Sequence, residues 1–270
     1  MLADSLFMAL GGIAGIVLLL IAVYIYLALI RQISARGETA LTESTREFGL
    51  PEAILAWVLI SFLVLGVAGS FSGQTLELSS RIVIMNLIVE LAVVLSIVTV
   101  LRFRGFSVNS LAGFSRISFR RVLGSGIVLL LAAYPLVSLA EIITQGLLGG
   151  GSSQQSIVEL FSASRTIQQR ITIIVFAIAI APMAEEFLFR FFLYGVLRRY
   201  SGRFFGITIN ALLFAAAHAH LPSFAPLLVL GICLTIAYEW SGSILVSMTM
   251  HSLFNSLSLI VLAFPKLFQQ

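Results

Sequence analysis

The sequence predicts an all-α fold, a polytopic integral membrane bundle of about eight transmembrane helices. Three observations carry that expectation. First, 59% of the 270 residues are hydrophobic and 10% charged, with a mean hydropathy of +1.08. A soluble domain carries about 25% charge, so a soluble enzyme is excluded. Second, the apolar residues come in long runs, matching ~20 residues for each ~30 Å crossing of a bilayer. Third, the arginines that produce the net charge of +4 and a pI near 9.6 lie between those runs rather than on one basic face. That is how topology signals are distributed, and no nucleic-acid partner is expected. The single cysteine, Cys233, lies in an apolar stretch and reads as packing, with no disulfide framework.

The elements follow in order. The first run, 6–30, lacks a basic leader and is too long for a cleaved signal peptide, so it reads as a retained anchor. Runs at 53–70, 82–101 and 122–140 complete a first group of four crossings, placed in an N-terminal region 1–145. A junction at 146–170 contains Gly149, Gly150, Gly151, Ser152 and Ser153, but lacks the GK[ST] ending of a phosphate loop. The core, 171–270, carries runs at 171–197, 204–219, 225–240 and 244–264, with Pro182 expected to kink the fifth helix. Arg31, Arg36 and Arg46, then Arg102, Arg104, Arg116, Arg120 and Arg121, then Arg198, Arg199 and Arg203 occupy alternate loops. The intervening loops hold Arg81, Arg165 and Arg170, which favours both termini outside, in a multi-pass protein of the cell membrane.

A charge at the bilayer centre costs about 2.5 to 3.5 kcal/mol on insertion scales, so ionisable residues inside apolar helices are the informative ones. In the fifth helix, Glu186 and Arg190 stand four apart, the favourable order for an ion pair. Glu185 projects about 100° away and has no cation on its own helix, which suits a general base. In the sixth helix Phe214 and His218 share a face across small residues. In the eighth, His251 and Asn255 do the same, and both can donate hydrogen bonds toward one point. Glu90 in the third helix and Glu141 at the end of the fourth read as partners of neighbouring helices, and Trp57 and Trp240 as interfacial anchors. Three inward polar clusters in one half of the chain outweigh any one of them, because each alone would be a cost without a return.

Together, Glu185-Glu186-x-x-x-Arg190, Phe214-x-x-x-His218 and His251-x-x-x-Asn255 resemble the three motifs of the CPBP family, the membrane proteases related to the CAAX-processing Rce1 endopeptidase and to bacteriocin-immunity (Abi) proteins. The resemblance covers roughly residues 171–264, and the first four helices are a region that varies in such proteins. It implies an intramembrane endopeptidase acting on a membrane-associated or lipidated peptide. Glu185 would take a proton from a water held between it and His218, and His251 and Asn255 would form the oxyanion site. Glu186, Arg190 and Phe214 would support them. No cofactor is expected: two histidines and a glutamate are also a zinc donor set, but HExxH is absent and each ligand would come from a different helix. The expected partners are the lipid bilayer and a peptide or protein substrate. A non-proteolytic binding or immunity-type role for the same cavity is the alternative, and a proton-coupled transporter a weaker one, since no inverted repeat is seen.

Overall fold

The computed structural model describes residues 2–36, 48–70, 80–148, 161, 164 and 166–263. Arg46, Arg165 and the glycine-serine stretch 149–153 lie outside them. Every element among the described residues is helical: α1 (Leu2–Ala35), α2 (Leu50–Ser70), α3 (Ser80–Phe103), a single turn α4 (Val108–Leu111), α5 (Phe119–Leu148), α6 (Ile167–Val175), α7 (Ala181–Glu186), α8 (Tyr194–Ala217), α9 (Leu221–Ser241) and α10 (Ile244–Ala263). Two wider π-helical stretches, Phe176–Ile180 and Phe187–Leu193, flank α7.

Among the described residues, seven helical stretches are long and apolar enough to cross a membrane, and the chain is a multi-pass membrane bundle. One of the seven, Ile167–Ala217, is 51 residues long and contains both the fifth and the sixth expected crossings. It doubles back on itself. Gly202 sits at φ 79°, ψ 171°, outside the helical region, a conformation open to glycine and costly for other residues. Phe189 and Phe214, some 37 Å apart along a straight helix at 1.5 Å per residue, consequently lie with ring centroids 5.3 Å apart. A glycine bend thus stands where a loop was expected, and the eight expected legs are retained.

Local chemistry explains the helix ends. Pro51 occupies the first turn of α2, where its missing N–H is no loss. Thr166 and Gln169 form a reciprocal capping box at the start of α6. Gly242 closes α9 in the left-handed conformation, its N–H donating to the Tyr238 carbonyl at 2.8 Å. Gly113 packs against that turn so closely that a Cβ there would run into the Gly242 carbonyl. The neighbouring Ile244 N–H donates to the Ala112 carbonyl at 3.0 Å, which ties the α4 segment under the α9–α10 turn.

The central helix is α9, packed against α8, α5, α10 and α1. Several of its apolar residues, among them Leu230, Leu234 and Ala237, are fully buried. An interhelical hydrogen bond from Asn210 Nδ2 to Thr235 Oγ1, 3.1 Å, fastens α8 to α9 in this dry interior, where an unpaired amide would be costly. By contrast, α1–α3 present large apolar side chains outward, such as Ile16, Trp57 and Leu95. These outward faces match a lipid surrounding.

The arginine-bearing loops converge on one end of the bundle. Arg36 at the end of α1 donates to the Trp240 carbonyl at 2.6 Å, and Arg203 beside the bend donates to the Ile33 carbonyl at 3.2 Å. At the same end Glu52, fully buried at the start of α2, accepts from Arg104 Nε at 2.9 Å and from the Gly49 N–H at 2.7 Å.

Candidate active site

The site is built on the irregular middle of the fifth leg. Pro182 has no N–H to give to the preceding turn. The Ala181 N–H already bonds five residues back, to Phe176, so in the same wide register Pro182 would have served the Ala177 carbonyl. That carbonyl accepts instead from Asn255 Nδ2 of α10, at 2.8 Å. The expected kink is therefore a π-helical widening, a distortion frequent at functional sites. Asn255 binds it to the eighth leg.

One turn further on, Glu185 and Glu186 diverge as the helical spacing demands. Glu186 and Arg190 are both fully buried, with Oε1 3.0 Å from Nη1. The guanidinium is held at ion-pair distance but is not aligned for a directed hydrogen bond. Its other support is aromatic: Arg190 Cζ stands 4.2 Å from the centroid of the Phe214 ring, an attraction of about 2 kcal/mol when desolvated. The same Glu186 oxygen lies 2.9 Å from His251 Nδ1. A carboxylate can only accept, so His251 carries its proton on Nδ1 and turns Nε2 the other way.

Nε2 faces Glu185. The separation to Glu185 Oε2 is 3.8 Å, too long for a direct hydrogen bond. Glu185 keeps 21% of its side chain accessible, against 0% for Glu186, and its Oε2 is buried with no hydrogen-bond partner. Of two adjacent glutamates, one is neutralised inside the protein and the other keeps part of its side chain accessible.

His218 ends α8, next to Ala219 in the left-handed conformation at φ 49°. Such a conformation in a non-glycine residue costs of order 1 kcal/mol or more and clusters at functional sites. The His218 Nδ1–H donates back to the Phe214 carbonyl at 2.8 Å, which leaves Nε2 as the acceptor nitrogen. The Phe214 ring touches both imidazoles edge-on, with centroids 4.9 Å from His218 and 5.7 Å from His251. Phe214 thus gathers Arg190, His218 and His251 around one fully buried ring. His220 is engaged elsewhere, with Nδ1 2.8 Å from Ser223 Oγ.

Of the seven residues singled out from the sequence, Glu185, Glu186, Arg190, Phe214 and His251 form one contiguous cluster. His218 joins it through the Phe214 ring, and Asn255 borders it one turn beyond His251. One participant was not anticipated: the Ala177 carbonyl, signalled only by Pro182 five residues on. Glu90 of α3 is close enough for its carboxyl to interact electrostatically with Glu185. Among the described residues, no three His, Cys, Asp or Glu side chains are grouped as a metal-ligand set.

Fold and site together define a polytopic membrane protein with glutamate and histidine side chains clustered within the helical bundle. Residues 167–257, which contain all three motifs, match the family model described as Type II CAAX prenyl endopeptidase Rce1-like. This segment is similar to that family, consistent with the CPBP resemblance. No curated protein and no solved structure matches the chain.

Proposed function

We propose that the protein is an intramembrane endopeptidase that hydrolyses a peptide bond of a membrane-associated or lipidated peptide, with a glutamate-activated water and no covalent intermediate. The observation that carries this reading is the division of labour between the adjacent glutamates. Glu186 is consumed by Arg190 and His251, while Glu185 is left partly accessible beside the His251 imidazole.

In the proposed reaction a water lies between Glu185 and the acceptor Nε2 of His218. Glu185 takes one proton from it, and the resulting hydroxide oxygen bonds to the scissile carbonyl carbon. Charge develops on the carbonyl oxygen. Asn255 has two Nδ2–H groups, and only one is spent on Ala177, so the second can donate to that oxyanion. His251 donates from Nε2 in its imidazolium form, with Glu186 at Nδ1 as counter-ion. The protonated Glu185 then passes its proton to the leaving nitrogen as the C–N bond breaks, giving a carboxylate and an amine. One oxyanion donor contributes about 2.7 to 4 kcal/mol in sites of this kind. The surrounding low dielectric strengthens each of these interactions.

The test is cleavage of a quenched fluorescent peptide library, with prenylated and unmodified members, by the detergent-purified protein with and without a chelator. Turnover by the wild type that persists with chelator and disappears in Glu185→Gln is the expected result. Chelator-sensitive turnover would replace the glutamate-activated water with a metal-bound one. A phenotype kept by Glu185→Gln, with no cleavage by either protein, would favour the non-proteolytic binding role.

A further inference from the structure

We propose that Gly231, in the middle of α9, is a positioning residue of the site: its lack of a side chain seats the Phe214 ring and, through that ring, the imidazoles of His218 and His251. Its effect on turnover rests on the catalytic reading of Glu185 and His218, whereas its hold on the imidazoles does not.

Glycine is among the poorest helix formers, because its backbone loses the most freedom on ordering. A glycine inside a helix therefore has its reason elsewhere. Among the described residues Gly105, Gly113, Gly202 and Gly242 have positive φ and Gly231 does not, so conformational freedom is not what this position uses. It uses space. A Cβ on Gly231 would stand 3.2 Å from Ala211 Cα, 3.3 Å from Ala211 Cβ and 3.2 Å from Phe214 Cδ1, all on α8. Carbon atoms in van der Waals contact prefer about 3.5 to 4.0 Å, so a neighbour has to give by a few tenths of an ångström.

The backbone of α8 is held in place. Asn210 Nδ2–H donates to Thr235 Oγ1 at 3.1 Å, and the Thr235 hydroxyl donates on to the carbonyl of Gly231 itself at 2.7 Å. This chain ties the two helices together one turn from Phe214. Only Ala219 and His220 separate His218 from the start of α9, and Ala219 already sits in the left-handed region. A connection this short leaves α8 little room to slide, so the ring gives instead. Phe214 is fully buried, with Arg190 Cζ 4.2 Å from its centroid and the ring centroids of His218 and His251 at 4.9 Å and 5.7 Å. Close-packed interiors transmit strain, so a displaced ring carries all three with it. A misplacement of about 1 Å can cost a hundredfold in rate, and a shift of a few tenths should cost severalfold.

The chain has three histidines, His218, His220 and His251, and the ring-nitrogen resonances of isotope-labelled histidine in the detergent-purified protein report on them directly. Gly231→Ala should shift the signals of His218 and His251 and leave that of His220, which is engaged by Ser223 Oγ. On a peptide that the wild type cleaves, kcat should fall ~10-fold with KM little changed. Gly124→Ala, at an exposed position of α5 where a Cβ would meet nothing within 4 Å, is the control and should change neither. Combining Gly231→Ala with Ala211→Gly opens space beside the new methyl group and away from the ring. That pair should restore the signals and most of the turnover, and it carries the test where the single variant does not fold. Site-histidine signals left at their wild-type positions in Gly231→Ala would overturn the proposal, as would equal shifts at all three histidines or signals that the pair fails to restore. Shifted signals with unchanged turnover would overturn the catalytic reading of His218 and leave Gly231 as the residue that seats the ring.

Discussion

Helices α2 and α9 are each 21 residues long and both are strongly apolar, yet they do opposite things. In its most apolar window α9 is 61% buried inside the protein, and α2 only 11%. Hydropathy alone does not separate a helix surrounded by protein from one surrounded by lipid, because the two environments are equally apolar. What separates them is the company of polar groups. On α9, Thr235 receives the Asn210 amide and Glu239 gathers Tyr194, Arg198 and Arg203. On α2, Glu52 at the very start holds Arg104, and the outward face beyond it carries Ile54, Trp57 and Leu65. Apart from Glu90 of α3, the N-terminal legs use charge to fasten an end, whereas the C-terminal legs also carry it into the middle, at Glu185, Glu186, Arg190 and His251, where its cost requires a return.

Substitutions on the two sides of this comparison should therefore differ in size. The largest loss of stability is expected from Arg190→Met, which leaves Glu186 a buried carboxylate without its cation. Removing one partner of a buried pair costs about 3 to 5 kcal/mol, and thermal unfolding in detergent should show a large fall in midpoint. A midpoint within a degree or so of wild type would mean that His251 alone balances Glu186. Asn255→Leu should come next. It orphans the Ala177 carbonyl that Pro182 cannot serve, at about 1 to 3 kcal/mol. Hydrogen exchange should then accelerate around the first π-helical stretch, and exchange unchanged from wild type would break the link between proline, widening and asparagine. Arg104→Gln should do least. Its side chain is 44% exposed, so solvent screens the pair even though Glu52 is buried, and the Gly49 N–H continues to donate to that carboxylate; a loss of about 1 kcal/mol is expected. Peptide cleavage should be unaffected, and a large loss of turnover here would erase the distinction between the two halves.

Much of this organisation was legible in the sequence, for specific reasons. Long apolar runs and the arginines between them announced the legs and their common basic end, and Arg36, Arg203 and Trp240 do meet there. The i, i+4 spacing of Glu186 and Arg190 announced their ion pair, and the 100° turn per residue separated Glu185 from it. The bend at Gly202 was not legible, because a glycine among arginines and a serine reads equally well as a loop. The π-helical stretches were not legible either, since a pattern built on 3.6 residues per turn cannot register a local widening. That widening hid the engagement of Asn255 with Ala177. The role of His251 as a bridge, with Nδ1 toward Glu186 and Nε2 toward Glu185, depends on α10 packing against α7. Spacing within one helix carries no such information.

The central claim is that the accessible glutamate of the adjacent pair performs chemistry while its neighbour holds the structure. The most direct measurement is the turnover of Glu185→Gln on a peptide the wild type cleaves, taken together with its thermal midpoint. A positioned base contributes about a hundred- to ten-thousand-fold. The account predicts a loss of that size at an unchanged midpoint, since Glu185 Oε2 has no hydrogen-bond partner to lose. Turnover equal to wild type, or a loss that only follows a fall in midpoint, would contradict it.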